Sequence, residues 1–95
     1  MQTRWDDMRV FLAVARAHTL SGAGKTVRLD AATVGRRIAR LEQGLKAVLF
    51  VKSPQGYALT EVGERLVIHA EAAEAAMRIA TDLSLIHISE PTRPY

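Results

Sequence analysis

Apolar residues recur along the chain at two different spacings, and the points where the spacing changes divide it into elements. Met8, Phe11, Leu12 and Ala15 fall at i, i+3, i+4 and i+7, which predicts a helix over Trp5–Ala17. Asp6 and Asp7 suit the positive end of its dipole. The segment "HTLSGAG" breaks the pattern, with Thr19 placed to cap a short second helix from Leu20 to about Arg28. Ala23 and Val27 would form its inner side. Gly22 and Gly24 weaken it by about 1 kcal/mol each relative to alanine, but they let another helix approach closely. Asp30 is placed to cap a third helix, its carboxylate accepting from the N–H of Ala32 or Thr33. Val34, Ile38 and Leu41 give that helix one apolar stripe, and it is expected to end near Gln43–Gly44.

Beyond it, "VLFVKSPQGYALT" sets β-branched and aromatic residues on either side of the turn sequence Ser53-Pro54-Gln55-Gly56, predicting a two-stranded hairpin. Thr60 then caps a last helix from Glu61 to about Asp82. Leu66, Ala73 and Ala80 repeat along it every seven residues, with Ala70 and Met77 at the alternate positions. About 22 residues make a helix of roughly 33 Å, longer than so small a domain can cover, which predicts a partner helix along that seam. The final "SLIHISEPTRPY" loses the periodicity and brings in two prolines. It resembles a translated cloning or sequencing adapter, the alternative being the first strand of a following domain. The expected organisation is therefore a folded unit over 1–60, a linker and dimerisation helix over 61–83, and a non-native tail over 84–95.

Composition narrows the classes. With 48% apolar and 24% charged residues, the 95-residue chain can form one packed domain, or be a fragment of something larger. It contains no cysteine, which excludes disulfide scaffolds and thiolate metal sites. His18, His69 and His87 stand apart without ligand spacing, so neither a metal nor a cofactor is expected. The apolar run Val10–Ala15 is too short for a secretory signal, and no stretch approaches a membrane span. A cytoplasmic protein without a membrane partner is the expectation.

The net charge is only +3, but seven basic residues lie between Lys25 and Lys52 against two acids, Asp30 and Glu42. Between Thr60 and Asp82 the balance reverses. A basic middle segment points to a polyanion. With Val34 at the origin of a helical wheel, Arg36 lies near 200°, Arg40 near 240° and Arg37 near 300°, away from the apolar stripe. A short helix, a tight link and a basic helix make a helix-turn-helix, and the major groove, about 12 Å wide, admits one helix. Ala31, Ala32, Thr33 and Gly35 are small enough to let its entering end approach the bases. Arg36 can reach guanine O6 and N7 in a bidentate contact. Lys25, Arg37 and Arg40 are expected on phosphates, together with Lys52 and Ser53 at the tip of the hairpin, which acts as a wing.

The run "TLSGAGKTVRLDAATVGRRIARLEQGLKAVLFVKSPQGYALTEVGERL" resembles the N-terminal winged helix-turn-helix of LysR-type transcriptional regulators. "FLAVARAHTL", "VGRRIARLE", "LF" and "LTEVGERL" appear in the family's order and spacing over roughly residues 5 to 80. The resemblance implies a mainly α fold, three helices and a short β-hairpin wing followed by a long linker helix. It also implies double-stranded DNA as partner, a homodimer through Leu66, Ala70, Ala73, Met77 and Ala80, and bacterial transcription regulation. A small-molecule effector belongs to it only if a C-terminal domain follows. The chain departs from the family at Asp30, where Ser or Thr is common, at Ala31-Ala32 in place of Gln-Pro, and at Gly35 in place of Ser. Lys46 stands where a glycine is usual and Lys52 where an arginine is usual.

Two other classes compete. A helical protein–protein adaptor would use the alanine-rich helix alone and show no steep salt-dependent affinity for duplex DNA. Catalysis has little to stand on, and no catalytic residue is assigned. "SGAGKT" ends like a phosphate-binding loop but lacks the first glycine and a preceding strand.

Overall fold

A computed structural model describes the backbone over residues 5–89 and the side chains over residues 5–82. In chain order, α1 (Trp5–Ala17), α2 (Leu20–Val27) and α3 (Ala31–Leu45) lead into β1 (Phe50–Ser53) and β2 (Gly56–Leu59). The long helix α4 (Glu61–Ser89) follows. This is the mainly helical, winged architecture that the pattern predicts, and its three caps form. The N–H of Gly22 donates to Thr19 Oγ1 (3.0 Å), that of Thr33 to Asp30 Oδ2 (3.2 Å) and that of Gly63 to Thr60 Oγ1 (3.0 Å).

The periodicity of α1 understates its burial. Val10, Phe11, Leu12, Ala13 and Val14 are all buried, while Met8 and Ala15 are only partly covered. The helix is central: α2, α3, α4 and β2 all lie against it. Val34, Ile38 and Leu41 bring the predicted stripe of α3 into this core, with Leu49 and Phe50 at the entrance to the hairpin. The Phe50 ring lies 5.4 Å from that of Phe11 and 6.2 Å, edge-on, from that of Tyr57.

The strands pair antiparallel from Phe50↔Leu59 to Ser53↔Gly56, leaving Pro54 and Gln55 as the turn. Gly56 has φ +121°, and a Cβ there would lie 2.4 Å from the carbonyl oxygen of His18. That close approach lets the Tyr57 N–H donate to the same carbonyl (2.7 Å), which docks the wing on the α1–α2 turn.

Three expectations are refined or corrected. Gly24 does lie against a neighbouring helix, Val34 of α3 coming within 3.7 Å of an added Cβ, but its tightest neighbour is the Leu29 carbonyl at 2.2 Å, in the exit turn of α2 itself. Helix α3 runs past Gly44 to Leu45, because Lys46 takes the left-handed conformation (φ +56°) usually given to glycine. Its N–H and that of Ala47 then close on the carbonyls of Gln43 and Glu42. Finally, α4 does not stop near Asp82 but continues to Ser89. Extending an existing helix is far easier than starting one, and the isoleucines after Asp82 cost only fractions of a kcal/mol each. The remainder of the expected tail, 90–95, lies outside the described residues.

Candidate nucleic-acid interface

The cap of α3 is the start of a longer chain of hydrogen bonds. Asp30 accepts the Thr33 N–H through Oδ2 and the Thr33 hydroxyl through Oδ1 (2.6 Å). The Thr33 oxygen in turn accepts from Arg36 Nη2 at 3.0 Å. The Thr33 hydroxyl and amide, followed more weakly by the Arg36 charge, hold the Asp30 carboxyl below its ordinary range. Asp30 is therefore an anion at neutral pH, standing at the N-terminal end of a basic helix.

The outward stripe of α3 is Ala32, Arg36, Ala39 and Gln43, spaced i, i+4, i+7 and i+11 and all exposed. Ala31, Thr33, Gly35 and Arg37 are only partly exposed. Gly35 faces Leu20, whose Cδ1 would lie 3.3 Å from an added Cβ, so the missing side chain serves α2–α3 packing. Ala39 and Gln43 escaped the sequence reading. Their signal was available: continuing the Arg36 row by three and four residues reaches both.

The basic residues divide by what already holds them. Lys25 near the end of α2 and Lys52 on β1 are exposed and make no ion pair among the described residues. Arg40 does not simply face solvent: Nη2 donates to Oδ1 of Asp7, a carboxylate on α1 that is only 2% exposed. This bond, reinforced by the Asp7 charge, raises the Arg40 pKa above its ordinary value. Half of the Arg40 side chain remains open to solvent. Ser53 points into the hairpin turn, its hydroxyl donating to the Gly56 carbonyl at 3.0 Å. Glu42, counted from the sequence only as an acid on a basic helix, accepts the Leu49 N–H at 2.8 Å and so fixes the start of the wing to α3.

Of the residues expected on a dimer seam, Ala73, Met77 and Ala80 are exposed and Leu66 is half-buried. Ala70 is wholly buried in the core of its own chain and offers no surface to a partner. The sequence reading passed over Val62, Ile68 and Ile79, which are exposed apolar residues on the same helix. Arg16 of α1 clamps α4 through Glu74 (2.9 Å) and Glu71 (3.4 Å).

The "SGAGKT" segment lies inside α2, preceded by a helix and a turn, so it forms no phosphate-cradling loop after a strand. Among the described residues, no group of three or more acidic, histidine or cysteine side chains could hold a metal ion. No described helix is long and apolar enough to cross a membrane.

A short helix, a tight turn, an exposed helix with an arginine on its outward row and a hairpin docked beside them define a winged helix-turn-helix DNA-binding domain. Residues 5–64 match the family model of bacterial regulatory helix-turn-helix proteins of the lysR family, and the chain belongs to that family. The Mau operon transcriptional activator of Paracoccus denitrificans is 37% identical, over 75% of this chain and 26% of that protein. The regulator DmlR of Escherichia coli is 36% identical, over 82% of this chain and 24% of its own length. The chain thus spans about a quarter of these relatives. Among solved structures, the CbnR DNA-binding domain in complex with DNA superposes with a TM-score of 0.81 at 25% identity, covering 88% of this chain and 97% of that one. The BenM DNA-binding domain, solved with benA site 1 DNA, shares the fold with a TM-score of 0.86 at 17% identity, covering 95% and 100%. The relatives named here are transcriptional regulators, which leaves the adaptor reading without support.

Proposed function

We propose that this domain binds duplex DNA sequence-specifically as a homodimer, within the cytoplasm, and carries no catalytic activity. The observation that carries the reading is the outward row of α3, in which two alanines flank one arginine and Gln43 follows. Small side chains let the helix backbone approach the base edges, where Arg36 suits guanine and Ala32 and Ala39 suit thymine methyls. Lys25 and Lys52, exposed and without ion-pair partners among the described residues, are suited to phosphates on either side, and Arg37 and the open half of Arg40 add to that field. Gly35 acts through close packing against Leu20, and Ala31 keeps the start of α3 small enough to approach the bases. Ser53 shapes the wing that carries Lys52.

Dimerisation through α4 follows from its exposed apolar residues, and Leu66, Ala73, Met77 and Ala80 with Val62 are the proposed surface. Their mostly small side chains bury little area each, so the dimer forms mainly on DNA. Any small-molecule effector belongs to sequence beyond these residues, and the division into a binding unit over 1–60 and a linker helix after it is part of the same proposal. Selection of bound duplexes from a random pool, followed by affinity measurement over a range of salt, tests the reading. A two-fold-related recovered sequence and a steep salt dependence are expected. Binding that prefers no sequence, or that ignores salt, would overturn it.

A further inference from the structure

Arg36 is the longest side chain on the outward row of α3, and Thr33 holds it. The Thr33 hydroxyl has one proton, and the 2.6 Å contact to Asp30 Oδ1 takes it. What Thr33 presents to Arg36 is consequently an acceptor only, and Arg36 Nη2 meets it at 3.0 Å. A guanidinium has five N–H groups, so one bond to Thr33 leaves the pair needed for the two acceptors of guanine.

We propose that Thr33 is a positioning residue that sets base specificity by aiming Arg36, with Asp30 fixing the direction of the Thr33 hydroxyl. This rests on the reading of α3 as the base-reading helix, and it changes the role of Thr33 within that reading. A hydroxyl whose proton is committed to Asp30 does not donate to a base; it orders the residue that does. Asp30 has a second effect. Its charge offsets that of Arg36 close to the DNA, so Arg36 contributes direction more than general attraction to phosphate, and non-specific binding is held down.

Three variants separate these roles, with base preference read by selection and affinity by titration over salt. Thr33→Val keeps the shape of the side chain and the backbone N–H to Asp30 but removes the hydroxyl. It is expected to lower the preference for guanine at one base pair about fivefold, the size of one hydrogen bond, while leaving the salt slope unchanged. Thr33→Ser restores that preference. Asp30→Asn leaves one acceptor oxygen for the cap and turns an NH2 donor toward the Thr33 oxygen, so it is expected to loosen the aim of Arg36 and lower the guanine preference, while loss of the charge tightens binding to all sequences alike.

The control is Arg36→Ala, in whose background Thr33→Val should have no further effect on preference. Unchanged preference in Thr33→Val, or an effect that persists without Arg36, would overturn the proposal. Failure of the wild-type chain to select any sequence would instead remove the base-reading role of α3 itself.

Discussion

Arg40 on α3 and Asp7 on α1 form an ion pair in which one partner is buried and the other is half open to solvent. The Asp7 carboxylate accepts from Arg40 Nη2, so α3 is tied to α1 by a charge as well as by Val34, Ile38 and Leu41. Arg40→Ala leaves that buried carboxylate without its partner, and a lower midpoint of urea unfolding is expected. Because Asp7 already balances its charge, Arg40→Ala should change the salt slope of DNA binding less than Lys52→Ala does. An equal change in slope would show that the phosphates, rather than Asp7, hold Arg40 in the complex.

Arg36 and Lys52 are expected to differ in kind. Arg36→Ala should cost about 1–3 kcal/mol in specific binding and relax the preference at one base pair. Lys52→Ala should weaken binding to every sequence and lower the salt slope by about 1. Selection on both variants, with titrations at several salt concentrations, checks the contrast.

Lys46 ends α3 in a conformation that is unfavourable for any residue with a Cβ. Replacing it by glycine removes that strain at some cost in unfolded-chain entropy, and a net gain of about 1 kcal/mol is expected. Thermal unfolding measures it, and base preference should stay as in the wild type.

Ala70 and Ala73 lie one turn apart on α4, yet only the second is exposed. Ala70→Glu forces a charge into the core and should cost about 3 kcal/mol or more, seen as loss of the folded domain by circular dichroism. Ala73→Glu should leave the fold intact and place like charges across the proposed seam. Sedimentation with and without DNA should then show weakened dimerisation.

The α1–α4 clamp predicts a pH dependence. Its hydrogen bond from Arg16, opposed by desolvation and helped by the Arg16 and Arg78 charges, holds the Glu74 pKa below the ordinary value. A carboxyl with a lower pKa in the folded than in the unfolded chain binds its proton less readily when folded. Its stabilisation is complete above the unfolded value, near 4.3, and is lost as the pH falls through the lower folded value. Glu74→Gln should therefore flatten the acid limb of a stability-against-pH curve below about pH 5 and leave the neutral region parallel to the wild type.

The order of elements was determined by the sequence alone, because each is encoded by local features. Thr19, Asp30 and Thr60 cap helices through bonds to N–H groups three residues on, and Pro54-Gln55 turns a hairpin whose strands are adjacent in the chain. The stripe of Val34, Ile38 and Leu41 follows from helical period, and so does the outward direction of Arg36. Tertiary structure decided everything that depends on what packs against an element. Asp7 and Arg40 are 33 residues apart, and no spacing rule joins a carboxylate on one helix to a guanidinium on another. Ala70 and Ala73 belong to one alanine-rich pattern, and only the packing of α4 on the rest of the chain makes the first core and the second surface. The left-handed ending at Lys46 depended on the whole wing junction, where Glu42 takes the Leu49 N–H and closes the turn around it. Local period fixes which way a side chain points, but burial and pairing are properties of the neighbours, and the fold supplies those.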